Sequence, residues 1–187
     1  MKDKLPLYIC SSRYDISTKK DVIDHIVNQY KTIDFENKES NFPLVDTPNH
    51  DLLHLYEDFV NQAQQLFGPF IMLPENSTQC WGVVTDNSSA DFKSIHSHKK
   101  TSTINSVYYA NIPTTPSYED GSISFYWPDA DITNPHEIFC YKPRNNDLII
   151  MPNHLKHDRN YCSSSEYRIA VNMEIKCDKS WSESIFK

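Results

Sequence analysis

Apolar positions in the N-terminal third recur at helical spacing. Val22, Ile23, Ile26, Val27 and Tyr30 fall on one face of a helix expected over residues 18–31. Thr18, three residues ahead of Asp21, is its expected N-cap. Leu52, Tyr56, Phe59, Val60, Ala63 and Phe67 form the stripe of a second helix over 50–67, stopped by Gly68-Pro69. A short strand over 5–10 precedes both. Beyond residue 79 the period shortens. Runs of β-formers at 80–85, 101–111, 122–127, 137–141, 147–151 and 167–175 alternate with turn residues. Pro113, Pro116, Pro128, Pro135, Pro143 and Pro152 fall between runs or at their ends, where a missing N–H breaks no ladder. Many short strands at this spacing predict a sandwich or barrel, with the two helices bracing one face.

The 187 residues suit a single domain with one real core. Hydrophobic residues make up 39% and aromatic residues 12%, which excludes a disordered or fibrous chain. Only three glycines are present, against a fold with several glycine-rich phosphate loops. The net charge of -7 and the absence of a basic stripe argue against nucleic acid as partner; Lys99-Lys100 is too short to count as one. No run approaches the ~20 apolar residues that cross a bilayer, and residues 1–6 carry no apolar signal region. Cys10, Cys80, Cys140, Cys162 and Cys177 are odd in number and widely spaced, without a CxxC. They are read as reduced thiols of a cytoplasmic protein rather than as a disulfide framework. The acceptor patterns at Asn76 and Asn87 carry little weight without a secretion signal.

Eight histidines supply the candidate chemistry. In His96-Ser97-His98, residues i and i+2 of an extended segment point to one face, so both rings can converge on one ion. Such pairs also occur on polar loops. His50 and His54 have helical i, i+4 spacing but enclose no glutamate base, and are read as an exposed helix face. His154 or His157, after the 147–151 strand, could complete the first pair. His25 and His136 have no evident partner.

Residues 96–172 resemble the 2-oxoglutarate and iron(II)-dependent oxygenases, in particular the prolyl-hydroxylase-like branch and the short oxygenases often found in bacteriophages. His96-Ser97-His98 stands where that superfamily has His-x-Asp/Glu. His157 follows 59 residues after His98, and Arg168 lies 11 residues further on. Ser106-Val107-Tyr108-Tyr109-Ala110-Asn111 resembles the YYxN strand and Gly121-Ser122-Ile123-Ser124-Phe125 the GGxLxF strand. The segment 147–157 resembles the one that delivers the distal histidine, which chooses His157 over His154. Trp81 and the Arg168-to-Asn172 strand match features of the phage-type members.

The resemblance implies a double-stranded β-helix, the jelly-roll or cupin-like fold, at 80–177, with 1–79 as helical and strand support within one domain. It implies Fe(II) held by His96, His98 and His157, and 2-oxoglutarate bound through its far carboxylate by Arg168 and Tyr109. Trp81, Asn105 and Asn172 become candidates to border or position substrate. The implied reaction consumes O₂, releases succinate and CO₂, and hydroxylates a peptide or protein residue or a small amino-acid-like molecule. The location would be the cytoplasm, that of the host if the protein is viral.

One departure stands out. His98 occupies the usual carboxylate position, so the ligand set lacks one negative charge. That leaves open a three-histidine, cupin-type oxygenase without 2-oxoglutarate, such as a thiol dioxygenase. A non-catalytic metal-binding β-barrel is a further alternative. A zinc hydrolase is more distant, since no carboxylate next to the pair is placed as a base. The loops at 31–47, 87–95 and 113–120 are expected to border the mouth and set substrate choice.

Overall fold

The computed structural model describes residues 6–32, 41–43, 49–73, 79–89, 95–99, 102–127, 134 and 137–178. The described elements are β1 (Tyr8–Ser11), α1 (Lys20–Thr32), β2 (Asn41–Pro43), α2 (His50–Phe67), β3 (Gln79–Thr85), β4 (Ile104–Asn111), β5 (Ile123–Tyr126), β6 (Ile138–Tyr141), β7 (Asp147–Pro152), β8 (Lys156–Arg159) and β9 (Arg168–Ile175). A large sheet runs β1-β7-β4-β9-β3-β2 and a small one β6-β5-β8, with every pairing antiparallel. The chain therefore alternates between sheets after β4: two strands in the small, then one in the large, one in the small and one in the large. The single bridge His96↔His157 lays the 95–98 segment against β8.

The central strands of the large sheet are buried on both faces. One face packs on the helices: Val22 and Ile26 of α1 and Leu55 and Phe59 of α2 meet Tyr108, Leu148, Ile150 and Val171. The other face meets the small sheet: Val107, Tyr109, Ile149, Met151 and Ala170 pack with Ile123 and Phe125. Burying both faces explains why β7 reads as a continuous apolar run rather than an alternating one.

Helix α2 has the expected bounds, and Asn49 caps it by accepting from the N–H groups of Asp51 and Leu52. Its buried face also includes Leu55, Asp58 and Gln62, which the apolar stripe did not name. The polar pair is satisfied: Asp58 accepts from the Ser12 hydroxyl at 2.7 Å and from Gln62 Nε2 at 2.8 Å. Helix α1 begins at Lys20, with the first helical N–H groups returning to the Lys19 carbonyl, so Thr18 is not its cap.

Two strands were not expected. β2 falls inside the predicted 31–47 loop, and its three residues are too few to show a period. β8 has the sequence Lys-His-Asp-Arg, with no apolar alternation, and is a strand because β5 pairs with it. Strands β1 and β2 also draw the N-terminal third into the large sheet. Residues 33–40, 44–48 and 90–94, with His136, lie outside the described residues, and so do much of two of the loops expected at the mouth.

Candidate metal centre and anion pocket

His157 comes from the centre of β8 and is 6% exposed. His96 is fixed beside it by a reciprocal backbone pair, His96 N–H to the His157 carbonyl at 3.1 Å and the reverse at 3.0 Å. The His98 N–H donates to the Asn153 carbonyl at 2.8 Å, which anchors the second ring over the turn between β7 and β8. The three histidines offer ligand atoms all within 4.8 Å of one another, the only such cluster of His, Cys, Asp and Glu among the described residues. His154 is not part of it. His54 instead contacts Glu57 on the exposed face of α2. The structure brings His157 rather than His154 to the HxH pair.

Hydrogen bonds orient the rings. His157 Nδ1 faces the Leu155 carbonyl at 3.0 Å. A carbonyl only accepts, so Nδ1 carries the proton and Nε2 the lone pair. Burial first, then the neighbouring His96, pushes His157 down to about 3, which keeps that lone pair available at neutral pH. His98 Nδ1 faces Glu174 Oε1 at 2.5 Å, which turns Nε2 the other way. The two Nε2 atoms are 3.3 Å apart. Imidazole nitrogens at about 2.0–2.1 Å from a metal and at right angles would stand about 3 Å apart. A divalent cation placed between the two would be held by both nitrogens. The donor set therefore fits a metal ion.

Glu174 was not singled out from the sequence. It lies on β9 and is 2% exposed. The signal was there in principle: Glu174 shares the alternation of Arg168, Ala170 and Asn172, the β9 face turned toward the small sheet.

Arg168 marks the other end of that face. It is 3% exposed, and among the described residues no carboxylate pairs with it. Its Nε donates to the Gly121 carbonyl at 3.1 Å. Gly121 has φ 71°, a left-handed conformation that suits glycine, and a Cβ there would come 3.9 Å from Arg168 Cδ. The guanidinium carbon lies 5.2 Å from the centre of the Tyr109 ring. Tyr109 is fully buried, and among the described residues its hydroxyl makes no hydrogen bond of good geometry, although Arg168 lies near it. Burial pushes this phenol up to about 12 while Arg168 pulls the other way, so it remains a neutral donor. A buried cation beside a phenol hydroxyl is a pair of donors suited to an anion with oxygen acceptors. Its neighbour Tyr108 points to the helices, where its hydroxyl accepts from the Ile16 and Ser17 N–H groups.

The remaining candidates lie between the two ends. Trp81 stands opposite Asn172 in the β3–β9 register, and its ring centre is 6.0 Å from that of His98. The half-buried Asn172 carboxamide forms no hydrogen bond among the described residues. Asn105 is 2% exposed, faces Glu174 in the β4–β9 register and accepts from the Ser102 hydroxyl. No described helix is long and apolar enough to cross a membrane. All five cysteines are free thiols.

No protein-family model matches the chain, and no curated protein matches it in sequence. Solved structures do. A prolyl hydroxylase from Trichoplax adhaerens, in complex with a hypoxia inducible factor oxygen degradation domain peptide fragment, aligns with TM-score 0.66 and 13% identity, over 96% of this chain and 87% of that one. A Pseudomonas putida prolyl-4-hydroxylase aligns with TM-score 0.62 and 8% identity, over 92% and 93%. HygX from Streptomyces hygroscopicus, with nickel and 2-oxoglutarate bound, aligns with TM-score 0.60 and 9% identity, over 90% and 81%. At such low identity the likeness speaks for architecture, and on it the chain has the fold of these prolyl hydroxylases and of 2-oxoglutarate-binding HygX.

Proposed function

We propose that the protein is a non-haem Fe(II) and 2-oxoglutarate-dependent dioxygenase, a hydroxylase built as one domain on a double-stranded β-helix. The passage of the chain between sheets from β4 to β9 supports that winding. The observation that carries the functional reading is the pairing of two features in one interior. The three-histidine cluster lies at one end, and buried Arg168 with the Tyr109 hydroxyl at the other. Ala170, whose side chain is a single methyl, sits between them on the shared face of β9.

In this reading His96, His98 and His157 are the residues that would hold the iron. Bound iron and 2-oxoglutarate supply oxidising power from O₂, with succinate and CO₂ released. Arg168 clamps the far carboxylate with its planar, permanently charged fork, and Tyr109 donates a second hydrogen bond to it. Phe125 and Met151 wall the interior against water. Trp81 and Asn172 border the substrate. The peptide-bound hydroxylase among the structural neighbours supports a peptide or protein residue as substrate; a small amino-acid-like molecule fits the same chemistry. Free thiols and ferrous iron suit a reducing compartment such as the cytoplasm.

The deciding experiment is anaerobic addition of Fe(II) and 2-oxoglutarate, read by the visible charge-transfer band of the chelate. The band develops in the wild type, is lost in His157→Ala and weakens in Arg168→Ala. The three-histidine donor set favours one second reading, an oxygenase that does without 2-oxoglutarate and uses Arg168 for a substrate carboxylate. Iron that binds without producing the band selects it.

A further inference from the structure

We propose that Glu174 is the positioning carboxylate of the metal centre. It fixes the His98 ring from behind and returns, one bond further out, the negative charge that a ligating Asp or Glu at position 98 would bring. The inference rests on the three-histidine metal reading but not on 2-oxoglutarate.

Geometry carries it. The His98 backbone is held by its N–H on the Asn153 carbonyl and by its own carbonyl, which accepts from the Ser102 N–H at 3.1 Å. Rotation of the imidazole remains, and the 2.5 Å contact of Nδ1 with Glu174 Oε1 decides it. With Nδ1 donating to the carboxylate, Nε2 is turned toward His157 Nε2. Carboxylate–histidine–metal chains work in this way: the outer acceptor sets the tautomer and raises the basicity of the ligating nitrogen. Charge points to the same role. A divalent ion with three neutral imidazoles leaves two uncompensated charges in a site where His157 is 6% exposed. A carboxylate in direct contact with a ligand ring halves that excess. Glu174 sits at the inner end of β9 in contact with the ring of His98, the residue that departs from the His-x-Asp/Glu pattern.

The test is Co(II) binding by the full chain, followed by ligand-field absorption and Trp fluorescence, in wild type, Glu174→Gln, His98→Asp and the double variant. Gln keeps a hydrogen-bond acceptor and loses the charge. Glu174→Gln is expected to weaken Co(II) about 10–100-fold, the usual effect of removing an outer-shell partner. In the His98→Asp background the sign reverses. The introduced carboxylate already supplies the charge and crowds Glu174, so adding Glu174→Gln strengthens binding. Equal loss in both backgrounds, or no change in either, overturns the role of Glu174 while leaving the metal site standing. A wild type that binds no Co(II) overturns the metal reading and this inference together. Should Glu174→Gln not fold, ¹⁵N-histidine spectra of the Zn(II)-loaded wild type decide. His98 must appear as an Nδ1–H ring with a strongly downfield proton, and coordination through Nδ1 overturns the proposal.

Discussion

His98 and His157 stand 59 positions apart in the chain, yet their rings lie 10° from parallel with Nε2 atoms 3.3 Å apart. Each ring is turned to this position by an acceptor on its other nitrogen, Glu174 for His98 and the Leu155 carbonyl for His157. The centre is therefore preorganised by hydrogen bonds within the protein.

Preorganisation predicts that metal binding stabilises the folded chain. A divalent ion at a hundred times its dissociation constant adds about 2.7 kcal/mol. For a chain of this size that corresponds to a Tm rise of roughly 5–10 °C. Differential scanning fluorimetry with Co(II) or Ni(II), and reversal by chelator, measures it. The rise disappears in His157→Ala.

Arg168 is expected to discriminate between co-substrate and metal. Arg168→Lys keeps a charge but loses the two-pronged geometry, and 2-oxoglutarate affinity falls about 10-fold or more. Arg168→Met loses at least a further factor of ten. Co(II) binding is unchanged in both, because Arg168 bonds to Gly121 and packs on Tyr109 rather than on the histidines. Titration of the charge-transfer band against 2-oxoglutarate, with Co(II) titration as control, checks this. An equal loss of both would count against separate sites.

Tyr109→Phe separates a binding role from a structural one. Among the described residues the hydroxyl makes no hydrogen bond of good geometry, so its removal costs the fold little. Loss of a hydrogen bond to a carboxylate costs about 1.5–3 kcal/mol, or roughly 10–150-fold in 2-oxoglutarate affinity. The pH dependence has a definite sign. Burial raises this phenol from 10.0 to about 12 in the folded chain. Between those values the folded state keeps a proton that the unfolded state has lost. Its stabilisation is therefore complete below pH 10 and lost as pH rises toward 12. Tyr108 and Tyr141 are raised too and titrate in the same direction, so the readout is a difference. The alkaline fall in urea midpoint is shallower in Tyr109→Phe than in wild type.

Helix α2 offers a stability change remote from the chemistry. Asn49→Ala removes the side chain that accepts from two helix N–H groups and costs about 1 kcal/mol. Leu55→Ala, at a fully buried position, costs about 2–5 kcal/mol. Urea denaturation measures both, and Co(II) affinity of the folded fraction is unchanged. A loss of metal affinity in either would show that the helices tune the site.

The choice of His157 over His154 and the role of Arg168 rested on the family resemblance; local pattern by itself determined seven of the nine described strands, the bounds of α2 and the His96-Ser97-His98 pair. Those features follow from the two side-chain periods, from turn residues and from spacing, all written within a few positions of one another. β2 and β8 were not legible, because three residues carry no period and Lys-His-Asp-Arg has no apolar alternation; pairing with β3 and β5 makes them strands. The β9 alternation was visible, but not whether Arg168 faced water or an interior. The small sheet decided that by covering the second face of the large one. Glu174 was hidden for the same reason. It touches His98 from 76 positions away (98 to 174), and a buried acid on a strand has no distinguishing local pattern until the fold puts an imidazole against it.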